Sequence, residues 1–219
     1  APNKRDKLID RLLASTDYAN YFANKWSSLL RNKRTKTSYQ RGNFAFHAWI
    51  RDSLHQNKPY DQFVREVVAA SGEMLHNPPV GWYREVKTAQ NQLEDTAQLF
   101  LGTRIQCAQC HHHPFERWSQ ADYYGLAAVF ARVGRKGGFA DAEVPTNQVI
   151  FAKSAGHVVH PRTGQRIAPR PLGGPDFGLS HPDSCTGDRG LLRRIFEARC
   201  AKPYCVRLGT TCVRRGYIR

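Results

Sequence analysis

The chain has 219 residues, and its 41% of hydrophobic residues are enough for one good-sized domain with a buried core. The net charge of +15 raises the question of nucleic-acid binding. The one dense basic run, at 31–36, carries no recognised nucleic-acid motif, and we interpret it as a solvated loop. The sequence has no apolar run of about eighteen residues or more and therefore predicts no transmembrane segment.

Two amphipathic helices are predicted at the start of the chain, over 4–14 and 18–30, and we expect them to pack antiparallel. The residues at helical spacing are Leu8, Ile9, Leu12 and Leu13 in the first helix, and Tyr18, Tyr21, Phe22, Trp26, Leu29 and Leu30 in the second. An aromatic stripe of this kind is more typical of a core than of a cofactor pocket.

Four further helices are predicted, over 45–55, 59–70, 89–101 and from Ser119 to about residue 130. The second of these places Phe63 in the core, and Gly102 ends the third as a C-cap. Ser119 and Asp122 form a capping box at the start of the fourth. Between the predicted helices at 59–70 and 89–101, the glycine and proline residues within 71–81 predict a loop that ends at Trp82.

After Gly134 the pattern changes to short β-type segments, over 148–153 and 157–160, with a hairpin partner at 165–168. We therefore predict a mainly α fold of about six helices around a Cys-x-x-Cys-His loop, followed by a small β-hairpin region. The predicted domains are a helical domain at 1–132, a β-rich extension at 133–175 and a basic, cysteine-containing tail at 176–219. Because the tail shows little sustained amphipathic pattern, we interpret it as disordered or out of frame. The alternative is a disulfide-bonded or metal-bound segment.

The most informative stretch is the motif Cys107-Ala108-Gln109-Cys110-His111, followed by two further histidines. C-x-x-C-H is the attachment pattern of a c-type haem, in which two thiols bond the haem and the histidine ligates the iron. Residues three and four apart share one face of a helical turn, which puts Cys107, Cys110 and His111 on the same side. The leading hypothesis is covalent haem c and electron transfer, with no catalytic residue assigned.

Two alternatives stay open for the same residues. Cys107, Cys110, His111 and His113 also make a nitrogen and sulfur donor set for zinc or another metal, which would stabilise a noncatalytic module. The other alternative is a pair of buried thiols without a ligand. Pro114 disfavours helical geometry at His113, so we expect His113 to point away from His111.

The sixth iron ligand is not evident from the sequence. Met74 is the single methionine and lies upstream of the motif, so a distal histidine or an open position is favoured. The candidate histidines are His47, His55 and His76.

Several blocks follow one another in order: 5–14, 57–66, the stretch from Phe100-Leu101-Gly102 through His113-Pro114-Phe115, and Ala121-Asp122-Tyr123-Tyr124. Together they resemble the planctomycete cytochrome c-associated domain of unknown function, over residues 5 to about 132 with a weaker extension to 174. The resemblance implies a domain of a large exported protein, periplasmic or at the cell surface. It also implies that other domains of the same protein are its partners, often including a cytochrome c domain. It implies no established activity, although the family's setting suggests an uncharacterised enzyme of polysaccharide-rich habitats as a third possibility.

The sequence departs from the family pattern at His112, where Asp or Asn is common, and again beyond Ser180, where the similarity ends. The chain opens at Ala1 without a visible signal peptide, so we expect it to be a fragment whose export signal lies upstream. No specific nucleic-acid partner is expected.

Overall fold

A computed structural model of the chain describes residues 3–33, 40–137 and 148–172, and these residues are mainly helical. The α-helices are α1 Lys4–Leu13, α2 Thr16–Leu29, α3 Gln40–His55, α4 Tyr60–Val68, α5 Gly81–Glu85, α6 Ala89–Asp95 and α7 Gln120–Val129. The predicted mainly α fold is confirmed. Within the described ranges there are seven α-helices rather than about six, since α5 begins where the predicted loop ends and was not predicted.

Two small antiparallel sheets accompany the helices. Their strands are β1 Gly72–Glu73, β2 Val133–Lys136, β3 Val149–Ala152, β4 Val158–Val159 and β5 Arg166–Ile167. β3 is the central strand of a three-stranded sheet, with β1 on one side and β2 on the other. β4 and β5 form the predicted hairpin, in which Val158 lies opposite Ile167. The tail at 176–219 lies outside the described residues.

The core is aromatic where α2, α3 and α4 meet. Phe63 on α4 is fully buried and stacks on Trp49 of α3 at 4.9 Å between ring centroids. Trp26 of α2 meets the same ring edge-on at 5.2 Å. The helical spacing of α4 therefore predicted the correct inward face.

The inward face of α2 contains only part of the predicted stripe. Trp26 and Leu30 pack in the core as predicted, whereas Tyr21 is 58% exposed and Leu29 is 49% exposed. Ala19 and Ala23 complete the inward face, because small side chains let two helices approach closely. The prediction that Tyr21 and Leu29 face the core is wrong.

Helix α1 forms as predicted, but it buries none of its residues against the described part of the chain. Leu8, Ile9 and Leu12 remain exposed along one side of it. The sequence of α1 is therefore amphipathic, but no other described part of the chain buries its apolar face.

The basic run after α2 begins with a residue that has a structural partner. Arg31 donates two hydrogen bonds to the Asp95 carboxylate, from Nε at 2.8 Å and from Nη2 at 2.6 Å. A bidentate pair of this kind joins the end of α2 to the end of α6. Arg31 thus serves the fold, and residues 34–36 lie outside the described ranges.

Burial of Tyr60 gives the fold a dependence on alkaline pH. Loss of solvation raises the pKa of Tyr60 to about 12, against about 10 in an unfolded chain. Between these values the unfolded chain ionises while the folded one stays neutral, so the stability present below about pH 10 declines as the pH rises. In Tyr60→Phe we expect a smaller loss of unfolding free energy between pH 9 and pH 11.5 than in the wild type.

Urea denaturation at the two pH values measures this difference. The matched control is Tyr21→Phe, which removes a hydroxyl group from an exposed ring. Equal pH dependence in Tyr60→Phe and the wild type would contradict the assignment.

Candidate functional site

The Cys-x-x-Cys-His sequence lies in the connection between α6 and α7, which we call the motif loop (residues 103–118). Helix α6 continues as a π-helical segment, Thr96–Phe100, before the loop begins. Gly102 then adopts a φ of 66°, a left-handed conformation that glycine takes without steric cost, so it ends the helix as predicted. The chain reaches the motif directly from this cap.

The first part of the motif is a short 3₁₀ turn, Gln106–Gln109. Ile105 and Ala108 are fully buried, whereas Cys107 and Cys110 are exposed free thiols. In a 3₁₀ turn, residues three apart eclipse each other at a rise of about 6 Å. The buried pair therefore anchors the turn and leaves the two thiols on its outer side.

The ring of His111 has a defined hydrogen bond. Its Nδ1 lies 2.6 Å from the carbonyl oxygen of His112, which can only accept, so Nδ1 carries the proton. The proton-free nitrogen of the neutral ring is then Nε2. Metal-ligating histidines typically donate their second ring nitrogen in this way, which fixes the tautomer and the ring orientation.

The ring of His113 makes the opposite kind of contact. Its Nδ1 accepts hydrogen bonds from the backbone N–H groups of Phe115 at 3.3 Å and Glu116 at 3.0 Å. Its own backbone N–H donates to the Trp118 carbonyl at 2.8 Å. The proton of the neutral ring therefore lies on Nε2, which makes His113 a cap of the turn after Pro114. Its role as a metal ligand stays a prediction, and these contacts disfavour it.

Helix α7 holds the motif loop from behind. The capping box between Ser119 and Asp122 is present as predicted and fixes where the helix starts. In its first two turns Gln120 Nε2 donates to the Gln109 carbonyl at 2.8 Å, and the Tyr124 hydroxyl donates to the same oxygen at 3.2 Å. Helix α7 thus binds the motif loop by hydrogen bonds to Gln109, which lies between the two cysteines.

Two adjacent tyrosines of α7 lie beside the Cys110 thiol. Burial raises the pKa of Tyr124, and the negative charge of a Cys110 thiolate nearby raises it further. The Tyr123 pKa is also raised, first by burial and then by the Glu94 carboxylate, to which its hydroxyl donates at 2.7 Å. Both phenols therefore stay neutral hydrogen-bond donors, Tyr124 to the Gln109 carbonyl of the motif loop and Tyr123 to Glu94 of α6.

The described residues contain no group of three His, Cys, Asp or Glu side chains that could hold a metal ion. Two of the candidate sixth ligands, and Met74, have contacts of their own. His47 hydrogen-bonds Asn24 at 3.0 Å, and His76 pairs with Glu73 at 3.0 Å. The Met74 sulfur lies 3.8 Å from a guanidinium nitrogen of Arg84.

A family model described as PSCyt2, protein of unknown function (DUF1549), matches residues 1–135. The chain belongs to the PSCyt2 family. This planctomycete cytochrome-associated domain typically occurs in multidomain proteins with cytochrome domains. No curated protein and no solved structure matches the chain.

The PSCyt2 match spans the seven α-helices of the described residues and the motif loop. Within the residues that the structure describes, no helix combines the length and the apolar character needed to cross a membrane. Two residues of the site were not singled out in the sequence, namely Gln120 and Tyr124. The signal available was a pair of polar-tipped side chains four residues apart on an otherwise apolar helix face.

Proposed function

We propose that this PSCyt2 domain attaches a c-type haem at Cys107 and Cys110 and uses it for electron transfer. Each thiol adds its sulfur and its proton across one vinyl group, so the attachment consumes no oxidant or reductant. His111 Nε2 is the proposed iron ligand. The haem would supply one-electron chemistry, and the motif loop would set its orientation and its exposure.

The observation that carries the proposal is the tautomer of His111. Its Nδ1 proton is bonded to the His112 carbonyl, which leaves Nε2 with a free lone pair at the protein surface. The two thiols are exposed beside it and are not joined in a disulfide. An attachment site for a flat macrocycle requires this combination of an open face, two exposed free thiols and one aromatic nitrogen donor.

The same site fits zinc less well. Structural zinc takes four protein ligands, and the described residues bring no three suitable side chains together. His113, the fourth member of the predicted donor set, uses its Nδ1 to accept two backbone hydrogen bonds. A metal-stabilised module is therefore an outcome of the test below rather than a second proposal.

The proposal also implies a location and a partner. Attachment of haem c takes place outside the cytoplasmic membrane, so the domain would belong to an exported protein, periplasmic or at the cell surface. PSCyt2 domains typically accompany cytochrome domains, which makes such a domain of the same protein the natural electron partner.

The test is expression of the full chain with a periplasmic cytochrome-maturation system. We expect red protein whose haemochrome band survives acid-acetone extraction, because thioether bonds resist that treatment. The double variant Cys107→Ser/Cys110→Ser should be colourless. Cys185→Ser, which removes a thiol outside the described residues, should retain the haem.

Colourless wild-type protein that folds would overturn the proposal. If that protein carried stoichiometric zinc, the metal-stabilised module would take its place.

A further inference from the structure

The Gln109 carbonyl lies between the two cysteines and receives hydrogen bonds from both Gln120 and Tyr124. The two donor residues are nearly fully buried. We propose that Gln120 and Tyr124 are positioning residues, which hold Cys107 and Cys110 at the spacing and orientation that haem attachment requires. This inference rests on the proposed function and adds the residues that prepare its site.

The donors come from a rigid support. Gln120 and Tyr124 are four residues apart, so they share one face of α7. The capping box at Ser119 fixes the first turn of the helix. From the other side, His160 at the end of β4 packs on the Tyr124 ring at 5.8 Å between centroids. The β4–β5 hairpin thus supports the same tyrosine that holds the motif loop.

The 3₁₀ turn has backbone hydrogen bonds at both of its ends. The Ala108 N–H donates to the Ile105 carbonyl at 2.9 Å, and the Cys110 N–H donates to the Cys107 carbonyl, which the His111 N–H reaches only at 3.5 Å. Hydrogen-bond geometry in 3₁₀ turns is poorer than in an α-helix. Two external donors fill both lone pairs of the Gln109 carbonyl and thereby fix the peptide plane that leads into Cys110.

Fixing this plane has a chemical consequence. Haem attachment needs two thiols to reach two vinyl groups on one rigid ring, and orientation errors near 1 Å are costly for such reactions. Without the two external donors, the 109–110 peptide keeps the Cys110 N–H bond to the Cys107 carbonyl but loses the support of its own carbonyl, so one thiol can shift relative to the other. We therefore expect loss of the two donors to lower the fraction of chains that carry two thioether bonds. The accompanying change in the free energy of unfolding should be comparatively small.

The chain offers a closely matched set of variants. Tyr124→Phe removes one donor and keeps the ring, and Gln120→Met removes the other while keeping the side-chain length. Tyr123→Phe is the control, since it removes a neighbouring buried hydroxyl that donates to Glu94 rather than to the motif loop. All are made in the full chain and compared at equal amounts of folded protein.

Two readouts are measured, and one of them needs no haem. In haem-free protein, hydrogen exchange at the Ala108 amide should become about tenfold faster in Gln120→Met/Tyr124→Phe, since two hydrogen bonds that hold the turn are lost. The increase in this exchange rate should be several-fold smaller in Tyr124→Phe. In Tyr123→Phe the exchange rate should equal that of the wild type. In matured protein, the fraction of chains with two thioether bonds should fall in the same order.

Unchanged exchange in the double variant would overturn the proposal, as would faster exchange with an unchanged fraction of doubly attached haem. An equal effect in Tyr123→Phe would also overturn it, because the cause would then be general destabilisation. If the wild type takes up no haem, the proposed function fails on its own. Exchange at Ala108 then still decides whether these residues hold the motif loop.

Discussion

Phe63→Ala is expected to lower the free energy of unfolding by about 3–5 kcal/mol, the usual cost of removing a buried phenylalanine ring. The Phe63 side chain has no exposed surface and lies between Trp26 and Trp49, at 5.2 and 4.9 Å between ring centroids. Removing it creates a cavity where three helices meet. Chemical denaturation followed by tryptophan fluorescence measures the change.

The matched control for this prediction is Phe115→Ala. Phe115 is 92% exposed in the motif loop, so its removal should change the unfolding free energy by no more than about 0.5 kcal/mol. Similar losses in the two variants would show that the fold places Phe63 incorrectly.

The second large effect is expected at His111. In matured protein, His111→Ala should reduce the yield of stable holoprotein at least about tenfold, because removing even the outer hydrogen-bond partner of a metal ligand costs 10–100-fold. The remaining red protein should have an altered absorption spectrum, and added imidazole should restore it toward that of the wild type. Absorption spectroscopy with an imidazole titration measures both effects.

His112→Ala provides the control. The group that bonds His111 Nδ1 is the backbone carbonyl of His112, and alanine retains it. We therefore expect wild-type yield and spectrum in His112→Ala. If His112→Ala lost as much holoprotein as His111→Ala, the assignment of His111 as the iron ligand would be contradicted.

Several helices could be predicted because one local pattern agreed with the packing. In α4, five apolar positions at helical spacing face a single core, and Phe63 is buried as predicted. In α2 the predicted stripe is only partly correct, because Trp26 and Leu30 pack in the core while Tyr21 and Leu29 are exposed. Close packing on α3 buries Ala19 and Ala23 instead, and sequence spacing alone carries no information about that partner.

The missed elements are short ones that depend on distant contacts. Pro79 and Gly81 are helix breakers by composition, but burial of Trp82 and Tyr83 stabilises the five-residue helix α5, which begins at Gly81 itself. Strand β1 has two residues and pairs with β3, so that Gly72 lies opposite Ile150. Neither segment is long enough to show a period of its own.

In the candidate site, the sequence identified side chains but not the groups that hold them. Cys107, Cys110 and His111 follow from their spacing. Their support does not, because Gln120 and Tyr124 act on the backbone carbonyl of Gln109, a group that every residue type has. The tautomer of His111 likewise depends on a backbone carbonyl.

The most direct measurement of the central claim is the location of the haem in the matured full chain. Proteolysis followed by mass spectrometry should recover one haem on the peptide that contains Cys107 and Cys110, bonded through both sulfurs. Peptides with Cys185, Cys200, Cys205 or Cys212 should carry none. Recovery of the Cys107–Cys110 peptide without haem, from protein that has folded in the presence of the maturation system, would contradict the account.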